Sequence, residues 1–208
     1  MLKITNVKVY GLEESIIASG YPKRLDFPVI MEEEIDKLNN DFEQTKDYKR
    51  MVKLGNTPIG SGHSNAIKGI IVQFDLKYPN YFTPQLQRYK FLDIISSSSK
   101  MHLIQEMNMR ECFNEYVTPR TKDYMVDLQN DYNQNPSRQK FMTLLANCPM
   151  GIELNMRCSA SYTCLRNIYY QRHNHKLLEW KILRDWIKSL PYFSELCLAK
   201  ENIECLEK

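Results

Sequence analysis

Apolar and polar residues alternate most regularly where Ile70, Val72, Phe74 and Leu76 fall on one face and Gln73, Asp75 and Lys77 on the other, which predicts a strand over residues 70–77. Ile4, Val7 and Val9, ending at Gly11, predict a shorter strand near the start. Elsewhere the apolar spacing is three and four. Ile35, Leu38, Phe42 and Tyr48 predict one surface helix over 31–51. Thr83-Pro84 opens a helix that Leu86, Tyr89, Phe91 and Leu92 carry on to the serine run 96–99. Ser137 caps a helix ending near Asn147. With no Gly or Pro over 152–173, the recurrence of Leu154, Cys158, Tyr162, Leu165 and Tyr169 predicts one long core helix. It has apolar residues on more than one face, as a subunit contact requires. Trp180, Leu183 and Ile187 mark a last helix over 177–190, stopped by Pro191. Residues 55–62, with three of the seven glycines, form a loop ending at His63, and the polar run 129–136 reads as an exposed connection.

Composition narrows the class. At 208 residues, 43% apolar and 25% charged, the chain has the make-up of one globular domain over 1–208. It holds no run of 18 apolar residues and no signal-peptide core at its N-terminus, so a cytoplasmic protein without a membrane segment is expected. A net charge of +3 is too small to imply nucleic acid as a partner. The six cysteines lack the spacing of a zinc site, so reduced thiols and no metal are expected.

Charge is nevertheless uneven. Residues 157–188 hold seven Lys or Arg against two acids. On a single helix, Arg157 and Arg172 would share an azimuth at roughly 22 Å separation. Arg88-Tyr89-Lys90, followed after seven residues by Ser98, places cations and hydroxyls as a phosphate or carboxylate site needs them, or as a solvated helix and turn would. Tyr162, Tyr169, Tyr170 and His173 suit either a core or a stacking surface for a base or flavin ring. His63 follows a glycine whose bare backbone lets a ligand come close.

Together these residues resemble the flavin-dependent thymidylate synthases, the ThyX family. That family carries Arg-His-Arg, seven residues and Ser, with Gln three residues before the first Arg; here stand Gln85, Arg88-Tyr89-Lys90 and Ser98. Gly62-His63 and Pro79 fall at matching positions, and Leu165, Arg172, His175 and Glu179 follow the family's later order. Tyr89 and Lys90 replace the family's His and second Arg, and Lys100 replaces the Arg after the motif serine.

The resemblance implies an α/β (α+β) fold, a mostly antiparallel sheet flanked by helices, assembled as a homotetramer. It implies dUMP or a similar pyrimidine nucleotide as substrate, methylated at uracil C5. Arg172 would be catalytic, with Gln85, Arg88, Ser98, Lys100 and Arg157 on the substrate. FAD would lie against His63, Tyr89, Lys90 and His175, and NADPH and methylenetetrahydrofolate would be cosubstrates. A relative that keeps the fold but only binds a nucleotide or a partner protein is the alternative reading.

Overall fold

The computed structural model describes residues 1–39, 41–58 and 61–198. In chain order the elements are β1 (Lys3–Tyr10), α1 (Leu12–Ala18), α2 (Met31–Asn39), α3 (Lys46–Gly55), β2 (Ile71–Pro79), α4 (Thr83–Leu86) and β3 (Leu92–Ser97). Then follow α5 (Lys100–Leu103), α6 (Pro119–Gln134), α7 (Arg138–Ala146), β4 (Glu153–Ser161), α8 (Tyr162–Gln171), α9 (Leu178–Lys188) and α10 (Phe193–Cys197). The strands form one antiparallel sheet in the order β1-β2-β4-β3, flanked by helices, as expected. No helix among the described residues is long and apolar enough to cross a membrane.

The chain divides into two compact units. The first holds residues 1–5, 75–90 and 94–158, and the second 6–74, 91–93 and 159 onward, so the division runs through all four strands. In the first unit, Phe82, Leu86, Ile104, Met125, Leu144 and Ile152 are buried, and Tyr132 of α6 meets Phe141 of α7 at 5.7 Å between ring centroids. In the second, Trp180, Tyr162, Phe193, Ile67 and Ile187 lie at the centre, with Phe74 of β2 4.6 Å from Trp186 of α9. Gly11, at φ 71°, turns β1 into α1; a Cβ there would lie 2.7 Å from the Gly69 carbonyl oxygen.

The strand predicted over 70–77 is β2, with Val72, Phe74, Leu76 and Tyr78 buried at period two. Four other expectations are corrected. The long helix over 152–173 is β4 followed directly by α8. Leu154, Met156, Cys158 and Ala160 are buried at period two, and a spacing of four fits that alternation as well as it fits a helix. The change comes at Ser161, whose hydroxyl accepts the Cys164 N–H at 3.3 Å and caps α8.

The helix from Thr83 to the serines is one turn, α4, followed by edge strand β3, in which the β-branched pair Ile94-Ile95 favours extension. The surface helix over 31–51 is two helices, broken after Asn39, and α3 restarts where Thr45 accepts the Tyr48 N–H. Residues 129–134 belong to α6. Their polarity serves tertiary bonds: Gln129 Nε2 donates to the carbonyls of Ile104 (2.9 Å) and Met107 (2.8 Å), and Asn133 donates to Gln105. The cap at Ser137 and the helix over 177–190 are present as α7 and α9. Ile59 and Gly60 of the glycine loop, and Cys205, lie outside the described residues. Among the described residues the five cysteines are free thiols.

Candidate functional site

In the first unit a groove of 480 Å³ opens among the strands, lined by Thr5, Asp75, the serines 96–98, Asn155 and Arg157. Ser98 carries the β3–β4 pairing one residue further. Its N–H donates to the Asn155 carbonyl (2.8 Å), and its Oγ accepts the Asn155 N–H (3.2 Å). The hydroxyl is thereby fixed at the groove with its own proton still to give.

Arg157 belongs to β4 rather than to a helix, and its Nη1 donates to Asp75 Oδ1 of β2 at 3.0 Å. Both are half-buried. On the same two strands Lys77 pairs with Glu153 (2.7 Å), which also accepts from the Met1 ammonium (2.7 Å). Burial pushes the Glu153 carboxyl up, but hydrogen bonds from Lys77 and the Met1 ammonium outweigh it and hold the group below its ordinary value.

The other candidates of this unit do not line the groove. Gln85 is half-buried in α4, Arg88 and Lys90 are exposed in the turn after it, and Tyr89 is half-buried with its N–H on the Leu86 carbonyl. Lys100 opens α5 near Cys148, where burial pushes the thiol up and the ammonium partly offsets it.

In the second unit a cavity of 870 Å³ is lined by Ser15, Ser19, Lys23, Arg50, Lys53 and His63, with Ala18, Leu54 and Ala66 among its apolar walls. Arg50 pairs with Asp47, and its Nε donates to Ser19 Oγ at 3.1 Å. It lies so close over the chain that a Cβ on Gly20 would be 2.4 Å from its Nη2. Lys23 and Lys53 have no acidic partner among the described residues. His63 is exposed at the edge, held through its neighbour: Arg166 of α8, 4% exposed, donates to Ser64 Oγ (3.2 Å) and the Gly55 carbonyl (3.4 Å). One buried guanidinium therefore ties both ends of the loop that carries His63.

Arg172 and His175 come together elsewhere in this unit. The Arg172 guanidinium lies 4.4 Å from the centroid of the buried Trp180 ring, and the His175 ring is 5.9 Å from the same indole. His175 Nδ1 accepts the Leu177 N–H (3.1 Å), while burial and then the Arg172 charge hold the imidazole below its ordinary value. Neither residue lines the cavity beside His63.

No family model matches the chain, and no curated protein matches it by sequence. Solved structures do match. Thymidylate synthase X (ThyX) from Helicobacter pylori with FAD and dUMP aligns at a TM-score of 0.70 and 14% identity, covering 100% of both chains. The chain has a ThyX-like fold. A second structure, the flavin-dependent thymidylate synthase ThyX of the same organism complexed with FAD and dUMP, aligns at 0.62 and 14% identity, over 95% of this chain and 97% of that one.

Within this fold the structure brings Ser98 and Arg157 to one groove and leaves His63 at the other cavity. Sequence reasoning missed Asp75, Asn155, Arg50, Lys53 and Lys23. Asp75 stood in plain view on the polar face of the best-predicted strand. Arg50 and Lys53 stand three residues apart on α3, and Lys23 comes from a separate segment that no local spacing joins to them.

Proposed function

We propose that this chain is a ThyX-like nucleotide protein that binds a pyrimidine nucleotide of the dUMP kind in the first unit's groove and a flavin in the second unit's cavity. The observation that carries this reading is the meeting of Ser98 and Arg157, 59 positions apart, in one groove with Asn155. The fold of the FAD- and dUMP-bound ThyX structures supports it by analogy.

The cavity fits a flavin dinucleotide. Its 870 Å³ is within the range of cofactor sites, its walls are largely apolar, and Lys23, Lys53 and Arg50 would hold the pyrophosphate. His63 would border the ring system. Bound there, FAD supplies hydride chemistry, with NADPH as its reductant and methylenetetrahydrofolate as the carbon donor of a C5 methylation. The residues of this chain bind and orient. Ser98 gives a hydrogen bond from a backbone-fixed hydroxyl; Gln85, Arg88 and Lys100, which do not line the groove, are substrate residues by the ThyX resemblance. Roles for Arg172, Tyr89, Lys90 and His175, and assembly as a homotetramer, rest on the ThyX resemblance.

A second reading, a nucleotide binder without catalysis, is favoured by one observation: Arg157 is already engaged by Asp75. Absorbance and calorimetry separate the two. A purified protein that is yellow, or takes up FAD stoichiometrically, and binds dUMP supports the enzyme. A colourless protein that binds dUMP but no FAD supports the binder, and one that binds neither refutes both.

A further inference from the structure

We infer that Ser15 is a ligand-binding residue of the second unit's cavity, its hydroxyl bonding a neutral polar group of the flavin ring system. The inference rests on the flavin reading of that cavity and deepens it. Ser15 lines the cavity and is 7% exposed. Its backbone is used within α1: the N–H donates to the Gly11 carbonyl (3.1 Å), and the carbonyl accepts the Ser19 N–H (3.0 Å). The Oγ has no hydrogen bond among the described residues, yet it is not sealed inside the protein. A hydroxyl placed so deep is as a rule paired, and leaving it unpaired costs free energy. Its open side is the cavity, so its partner is the ligand.

Two neighbours decide which part of the ligand Ser15 meets. Ser19, one turn further along the chain, also lines the cavity, but its hydroxyl is spent inside the protein. It donates to the Ile16 carbonyl (2.6 Å) and accepts from Arg50 Nε (3.1 Å). The charged side of the cavity thus begins at Ser19, about 6 Å along the helix axis from Ser15. Ser15 itself meets the segment after His63, whose cavity-lining members Asn65, Ala66 and Gly69 bring no charge. A Cβ on Gly69 would lie 2.5 Å from Ser15 Oγ, so the bare residue 69 is what leaves the hydroxyl its place. A hydroxyl both gives and accepts, which suits a ring carbonyl or ring N–H, and the pyrophosphate is left to Lys23, Arg50 and Lys53.

The test titrates FAD into the wild type, Ser15→Ala and Ser19→Ala. It follows affinity, the visible absorption band of the bound flavin and the melting temperature of the ligand-free protein. Ser15→Ala should weaken FAD binding about fivefold, as the loss of one neutral hydrogen bond does, shift the band, and leave the ligand-free melting temperature unchanged. Ser19→Ala should lower that melting temperature, because its hydroxyl bonds the protein. FAD bound by Ser15→Ala as tightly as by the wild type, or more weakly with an unmoved band, overturns the inference while the flavin reading stands. A fall in the ligand-free melting temperature of Ser15→Ala equal to that of Ser19→Ala also overturns it, since the hydroxyl then serves the fold. If the wild type binds no FAD, the flavin reading itself fails and takes the inference with it.

Discussion

The groove of the first unit and the cavity of the second unit carry opposite electrostatics. In the groove, Arg157 faces Asp75, and the adjacent Lys77 faces Glu153, so the ordered strands bring their own counter-charges. In the cavity, Arg50 has Asp47, but Lys23 and Lys53 are unmatched among the described residues, and the wall is made of helix ends and loop. A self-neutralised surface selects by hydrogen-bond geometry, and an unmatched one attracts by field. The difference shows that a count of basic residues does not locate an anion site; the count of acids beside them decides.

The comparison breaks most readily at Arg166. Arg166→Ala leaves the Gly55 carbonyl and Ser64 hydroxyl without their donor and empties a buried volume, so we expect a loss of about 3 kcal/mol in denaturant melts. Increased proteolysis within the loop after Gly55 should accompany it. Unchanged stability would show that the cavity wall does not depend on this tie.

Next in size is the field of the cavity. Replacing both Lys23 and Lys53 by Ala should weaken FAD binding about tenfold and flatten its salt dependence, since two exposed ammonium groups facing phosphate are screened charges. Fluorescence titration across a salt series reads this. Equal affinity at low salt would refute the assignment of the cavity to an anionic cofactor.

A smaller effect sharpens the picture of the paired groove. The Glu153 carboxyl lies below its unfolded value of 4.5, so the native state binds fewer protons than the unfolded state as pH falls through that range. Its stabilisation is full above that value and is lost as pH drops through the depressed one. Glu153→Gln should cost about 1 kcal/mol at pH 7 and reduce the acid slope of stability below about pH 4.5.

The smallest expected effect is at His175. Its pKa is lowered from 6.5, so the folded state resists protonation, and stability falls as pH drops below 6.5, levelling once the folded group is also charged. His175→Gln should remove that part of the slope in thermal melts between pH 7 and pH 5. An unaltered slope would place the pH dependence elsewhere.

The parts of this fold legible in the sequence are those where a single period operates. β2 alternates over eight of its nine residues and α9 repeats its stripe over three turns, and both lie where the pattern put them. Leu154, Cys158 and Tyr162 misled because every fourth position belongs to both periods, and only the odd positions between them, with Asn155 and Arg157 half-buried or exposed, identify the strand. Ser98 was legible as a candidate through its spacing from Arg88. Arg157, which lines the same groove, belongs to β4 rather than to a helix, and its pairing with Asp75 depends on β2 and β4 being neighbours, which no local pattern states. Arg50 and Lys53 share one face of α3 at a spacing of three, but that Lys23 joins them at the cavity is information held in the tertiary fold.

Gln129 carries one more implication. Its amide nitrogen gives its two protons to two backbone oxygens, those of Ile104 and Met107, after α5. A glutamate at this position, whether inherited or made by slow hydrolysis of the amide, would set an acceptor against two acceptors. A change of a single atom, nearly invisible in shape, would turn the fastening of that segment into a repulsion, so chemical ageing at residue 129 is a route by which the molecule can come undone without any change in its apolar core.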